Sequence, residues 1–515
     1  MSIPDNDQTE PISSPFDPIA SAHPNLVIAT MCLAVVLAIA GVAGLTVAVP
    51  SIGAELGATQ SELQWILDAF ALTLAALLLP MGALGDRFGR RRMMLIGFVV
   101  FVGASLWATW AGSIGELIAA RALGGAGAAM FFPGTLATLT ATMPDERRGT
   151  AIGLWAASAS LGGTIGSLVA GGLIEVYWFG SVFLATAIAG AVVGTMTWRF
   201  VPETNDAAHA NIDPAGAVLS LVGVGGLVFA ITEGPVKGWS DPITLAGFAA
   251  AVVGLGGFAW WELRSTRPLL DLRLFRRRGF ATGTVSIFIQ YLVVFGYFFV
   301  AAQHLAFVSG YGPFKIAAAL LPVGILLPYM STKAPSWAAR RGRGLIGATG
   351  LALMAAGCFA FATIDAASSY WWFAGALAVF GAGMGLAAPP ATEAIVEALP
   401  RAQQGVASAT NDVARELGGA IGIALIGSAL TSGYRRSIDA TTSLPIEFVP
   451  VIRDSASAGL AVADTSPDPF AIIDAVRNSV VAGFSQSMIL AGGLLTIGTL
   501  YVALRTPPRV QEQPT

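Results

Sequence analysis

Gly82-Ala-Leu-Gly-Asp-Arg-Phe-Gly-Arg-Arg-Arg92 decides how the rest of the chain reads. The run carries four arginines and an aspartate, yet long apolar stretches flank it on both sides. Hydrocarbon does not accept that much charge, so the segment is expected to be a short water-facing loop between two membrane helices. Gly82, Gly85 and Gly89 permit a tight turn and close helix approach. Asp86 is expected to cap a helix end or to pair with Arg87, Arg90 or a neighbouring helix. Taken alone, a basic loop of this kind does no more than orient its helices.

Composition points the same way. Of 515 residues, 55% are hydrophobic and only 11% charged, with a mean hydropathy of +0.71. Soluble chains carry roughly a quarter charged residues, so this is an integral membrane protein. A net charge of −3 gives no reason to expect a nucleic-acid partner. Cys32 and Cys358 sit inside apolar runs, and His23, His209 and His304 are scattered. That pattern offers neither a disulfide framework nor a metal site. The acidic, Pro/Ser-rich start, residues 1–25, lacks the basic and apolar regions of a secretory signal and reads as a disordered cytoplasmic tail.

About twenty apolar residues cross a bilayer. Fourteen segments have that length: 26–50, 63–84, 93–112, 115–141, 149–174, 178–200, 212–233, 242–262, 279–303, 314–334, 344–364, 369–392, 405–431 and 479–504. Lys and Arg crowd the loops after even-numbered spans, whereas the other side holds Lys237, Lys315, Arg435, Arg436, Arg453 and Arg477. The bias predicts both termini in the cytoplasm. Arg340-Arg-Gly-Arg343 repeats part of the opening motif without its aspartate, which points to an internal repeat. The stretch 432–478 reads as an extracellular hairpin or lid with short helices near 451–462 and 470–478, against the simpler reading of a floppy linker.

Ionisable residues inside spans are functional candidates by default. Asp68 on span 2 and Arg121 on span 4 fall at about the same depth, because both helices enter from the same side. They are read as a proton or cation coupling pair, touching directly or across a cavity, or else as a permanent structural ion pair. Glu393, Asp412 and Arg415, near the ends of spans 12 and 13, read as a cytoplasmic gate. Trp65, Phe131, Tyr291 and Phe295 are candidates for an aromatic cavity taking flat lipophilic ligands. Gly162, Gly166 and Gly171 on span 5 allow a neighbouring helix to touch its backbone.

These motifs together resemble the major facilitator superfamily. Gly82–Arg92 resembles its Gly-x-Leu-x-Asp-Arg-x-Gly-Arg-Arg signature, which implies that Gly82, Gly85, Asp86, Arg87, Gly89 and Arg90 act as a conformational latch. Arg121-Ala-Leu-Gly-Gly-Ala-Gly-Ala-Ala129 resembles the family's span-4 pattern, in which the arginine is linked to proton transfer, with Gly124 where a glutamine is usual. Span 5 resembles the exporter-specific "antiporter" motif, with Ser167 at the proline position. Gly405–Gly419 is close to the family's span-13 run. Span 1 departs from the 14-helix drug:proton antiporter branch, where an aspartate is common at the position of Gly41.

The resemblance implies an all-α major facilitator fold of 14 transmembrane helices: two six-helix bundles, 26–200 and 266–505, around two linker helices within 201–265, with a cytoplasmic tail at 506–515. It implies a monomeric, proton-coupled exporter of lipophilic and in part cationic drugs, in a bacterial plasma membrane. The partners would be a small-molecule substrate, protons and the bilayer; no cofactor and no enzyme activity are expected. Two alternatives stand beside it. One is a dedicated exporter of an endogenous metabolite, antibiotic or lipid; the other is a non-transporting sensor or scaffold.

Overall fold

The computed structural model describes residues 23–506, apart from 57–59, 205–212, 267, 400–403, 442–443, 445–446, 455, 464–465 and 467. The proposed N-terminal and C-terminal tails and His209 lie outside the described residues, save for a few flanking positions. Among the described residues the elements are helical. They are α1 (Pro24–Leu56), α2 (Gln60–Phe88), α3 (Arg90–Thr109), α4 (Ile114–Thr142), α5 (Asp145–Val176), α6 (Gly180–Phe200), α7 (Pro214–Lys237), α8 (Pro242–Glu262) and α9 (Arg278–Phe307). They continue with α10 (Pro313–Ala319), α11 (Leu321–Arg341), α12 (Arg343–Ala362), α13 (Tyr370–Glu397), α14 (Gln404–Ala440), α15 (Val449–Asp454), α16 (Ala456–Ala463) and α17 (Pro469–Arg505).

Thirteen of the described helices are long and apolar enough to cross a membrane. The expected span 314–334 is instead α10 and α11, broken at Leu320. α11 is poorer in apolar residues and carries Pro328, Pro335 and Lys333. It still packs lengthwise along α5, from Gly149 against Pro335 to Gly324 against Thr164. That stretch of α5 spans about 22 Å at 1.5 Å per residue. With α10–α11 included, fourteen crossings result.

The packing repeats itself. Within the first six helices α1 pairs with α5, α2 with α4, α3 with α4 and with α6. In the second set α9 pairs with α14, α11 with α13, α12 with α13 and with α17. Each first-half pair therefore has a second-half counterpart. Between the halves, α5 lies on α11 and α14 lies on α2, again a symmetric exchange. α7 packs on α8 and on α2, outside both sets. Burial agrees: the apolar window of α4 is 78% buried and that of α8 only 28%, so α4 is central and α8 faces lipid.

The chain ends share one face. Asn25 accepts from Arg147 Nη2 at the start of α5 (2.7 Å), and Thr506 abuts Gly344 at the start of α12. This terminal face also carries the opening motif. On the opposite face α14 and α17 run on beyond the lengths expected of them: α14 continues to Ala440 and α17 starts at Pro469. Between them Leu444, Ile452, Ala463, Ile472 and Val476 close a small apolar core over Val308. Tyr434 donates to the Ile452 carbonyl (2.6 Å). Among its described residues the stretch 432–478 is packed rather than a floppy linker, but its short helices differ from those expected: the piece near 451–462 is split into α15 and α16, and 470–478 is the first part of α17.

Candidate functional site

The opening motif is not the open loop the sequence implied. α2 runs through Phe88, α3 starts at Arg90, and Gly89 alone makes the turn with φ +109°. A Cβ there would also lie 2.6 Å from Glu203 Oε1, the end of a side chain that can shift, so it is the backbone that demands glycine. Asp86 and Arg90 are 1% and 3% exposed, and they pair at 2.7 Å. Only Arg87, Phe88 and Arg92 are exposed. A pair of opposite charges, each satisfying the other, enters the protein interior where four separate charges could not.

Asp86 also joins the halves. Its Oδ2 accepts from the backbone N–H of Val406 (3.1 Å). Val406 lies in the first turn of α14, where helical N–H groups have no partner within the helix and favour a negative charge. One carboxylate therefore ties the end of α2 to the start of α14. In the second half Gly342 (φ +95°) stands where Gly89 stands, and Arg343 where Arg90 stands. The missing aspartate is replaced from another helix. Arg343 pairs with Glu393 (3.2 Å) and Glu397 (2.5 Å) of α13. Glu393 therefore belongs with Arg343, not with Asp412 as the gate reading grouped it.

Arg415 sits deeper, on α14, and is 3% exposed. It pairs with Asp412 (3.3 Å), which also accepts from Asn411 Nδ2 (3.3 Å). Its guanidinium lies 4.8 Å from the ring of Tyr291, 5.5 Å from Phe132 and 5.8 Å from Trp155. Phe132 and Trp155 belong to α4 and α5 of the first half. A second-half cation is thus held by first-half aromatic faces, a contact worth about 2 kcal/mol when dry. Trp155 is fixed by donating Nε1–H to Thr135 Oγ1 (2.9 Å).

Arg121 is buried, 6% exposed. Nε donates to the Ile66 carbonyl (3.2 Å), Nη1 to the Gly41 carbonyl (3.5 Å), and the guanidinium lies 4.4 Å over the Phe70 ring. Asp68 is not among its partners, so the direct ion pair is not formed. Helical spacing explains this. Ile66 and Phe70 share the face of α2 that meets Arg121, and Asp68, two residues from each, points about 160° away. Asp68 shares its stripe with Leu72 and Ala75, which pack against Val224 and Val228 of α7 and beside Val413 and Leu417 of α14. It is half-buried.

The aromatic candidates separate. Tyr291 borders the Arg415 box, with Phe295 6.1 Å away. Trp65 stacks near Phe229 of α7 (5.7 Å). Phe131 is fully buried, stacked on Phe98 (4.5 Å) and edge-on to Phe101 (5.6 Å). It packs the first-half core; its neighbour Phe132 is the one that faces the other half. On α5, Gly162 and Gly166 touch α1: a Cβ on Gly166 would lie 2.5 Å from Ala40 Cα. Gly171 is half-buried. Ser167 leaves the helix continuous and donates to the Ala43 carbonyl of α1 (3.4 Å).

Two six-helix sets are joined here by the Asp86 carboxylate and by the ring-lined box around Arg415. The sequence model of the Major Facilitator Superfamily matches residues 31–423, and the chain belongs to that superfamily. It is 34% identical over 463 residues to the methyl viologen resistance protein SmvA of Salmonella typhimurium, covering 88% of this chain and 92% of that one. It is 30% identical to the multidrug efflux pump LfrA of Mycolicibacterium smegmatis, with 89% and 92% covered. The human organic anion transporter MFSD10 (TETRAN) shares the fold at TM-score 0.63 and 13% identity, over 93% of this chain and 99% of that one. The chain is a multi-pass membrane transporter of small molecules and not an enzyme.

Proposed function

We propose that this protein exports lipophilic toxic compounds, flat organic cations among them, across a bacterial plasma membrane in exchange for protons. The observation that carries the reading is the joint between halves: Asp86 holds Val406 at the terminal face while Arg415 lies among Phe132 and Trp155. These contacts close one face and must part if the halves, 26–200 and 266–505, rock to open it. The terminal face is taken as cytoplasmic, as the Lys/Arg bias requires. The resistance and efflux relatives support export of drugs. Asp68, at the seam of α2, α7 and α14, is proposed as the group that gains and loses the proton, with Arg121 as its partner across the helix rather than by contact. A single subunit contains both halves, so a monomer suffices, and the proton gradient drives the cycle without a cofactor.

Inverted membrane vesicles test this. Uptake of ethidium and of methyl viologen is measured with and without a protonophore, for the wild type and for Asp68→Asn. Protonophore-sensitive uptake that the variant loses supports the proposal. Proton-driven flux of one metabolite and no dye would favour the dedicated exporter. No flux of any compound, and no effect of the substitution, would favour a sensor or scaffold.

A further inference from the structure

Three arginines are buried among the described residues, and two of them hold a carboxylate. Arg90 has Asp86 and Arg415 has Asp412. Arg121 has none. Its contacts are two backbone carbonyls and the Phe70 ring, and Nη2 meets no acceptor in the protein. Carbonyl dipoles and a ring face do not cancel a full charge, and an uncompensated buried charge costs several kcal/mol.

A cavity adjoins that guanidinium. Its volume is ≈ 20 Å³, and its walls include Gly41, Phe101, Ser105, Arg121 and Thr186. A water needs roughly 10–15 Å³ on this measure, so the space admits a single monatomic guest somewhat larger than water. Gly41 makes the space: a Cβ there would lie 3.8 Å from both Phe101 Cζ and Thr186 Cγ2, so no side chain reaches Arg121 from α1. The hydroxyls of Ser105 and Thr186 already donate to Phe101 and Val182 carbonyls (2.8 Å each), which leaves Arg121 as the donor. Phe101 turns a ring edge, its positive side, toward the space.

We propose that this cavity binds one small monovalent anion, chloride in ordinary solutions, as the exchangeable counter-ion of Arg121. The dimensions exclude an organic carboxylate, and a neutral water leaves the charge uncompensated. The site lies wholly within the first six helices. Its occupancy can be measured without transport, so it does not depend on the substrate or proton reading.

The full chain, purified in detergent or nanodiscs, is melted in sodium chloride, sodium bromide and sodium gluconate at equal ionic strength. The wild type is expected to show a saturable rise of Tm with chloride and bromide and none with gluconate. Gly41→Asp places a carboxylate in the cavity and is expected to abolish the halide dependence. Equal melting of the wild type in all three salts overturns the proposal, and so does a halide response that Gly41→Asp keeps. Should Gly41→Asp not fold, wild-type crystals grown in bromide decide the matter. An anomalous bromide peak beside Arg121 Nη2 supports the site, and its absence at saturating bromide refutes it.

Discussion

Asp86→Ala separates two tasks of one carboxylate. Asp86 is buried, pairs with Arg90 inside its own half at 2.7 Å, and accepts from Val406 N of the other half at 3.1 Å. Stripping a partner from a buried ion pair costs about 3–5 kcal/mol, because the remaining charge stays buried. That loss falls on Arg90 in every conformation and lowers stability. The bond to Val406 exists only while the terminal face is closed. A hydrogen bond to a charged group is worth about 1.5–3 kcal/mol, so its loss shifts the closed-to-open ratio by about 10- to 150-fold. Spin labels at Arg92→Cys and Arg341→Cys, exposed and in different halves on that face, report the shift by pulsed dipolar spectroscopy in a Cys32→Ser background. Asp86→Ala should move the distance distribution toward longer separations. Val406→Pro removes the N–H, at a first-turn position that tolerates proline, and replaces a buried valine with a side chain of similar size while leaving the Asp86–Arg90 pair intact. It should give the same shift with a smaller loss of stability. Unchanged distances in both variants would refute the assignment of Asp86 as a joint between the halves.

Other expectations follow from single positions. Gly89→Ala forces an alanine to φ +109° and onto Glu203; a loss of about 1–3 kcal/mol should show as a lower temperature of aggregation on size-exclusion chromatography. Gly166→Leu wedges α5 off Ala40 of α1 and should abolish export while Gly172→Leu, at a position with open space, does not. Arg415→Lys keeps the charge but loses the guanidinium's contact with the rings of Tyr291, Phe132 and Trp155; the protein should fold, and export should fall at least tenfold.

The spans and the repeat were legible because bilayer thickness fixes helix length and charge fixes loops. α11 obscured one span, since Pro328, Pro335 and Lys333 lower its apolar content; Lys333 is exposed, with its ammonium 5.8 Å from the Tyr329 ring. The motif at Gly82–Arg92 was recognisable, but its burial was not. Sequence shows charges, not which of them cancel, and Val406 is over three hundred residues from Asp86. Phe131 and Phe132 differ by about 100° around α4, and nothing local says which of the two faces the other half. Arg121 and Asp68 were expected at one height, but height alone does not put two side chains on facing sides of a helix. The cluster of Arg343 with Glu393 and Glu397 had a signal, the repeated Gly-Arg at Gly342–Arg343, but the sequence reading took from it only an internal repeat and not an acid partner.

Purified protein in liposomes, with a pH dye inside and methyl viologen as cargo, tests the exchange itself. An imposed pH gradient should drive cargo and protons in opposite directions, and both fluxes should stop together in Asp68→Asn. Cargo movement that ignores the gradient, or that persists in Asp68→Asn with its proton flux intact, would contradict the account.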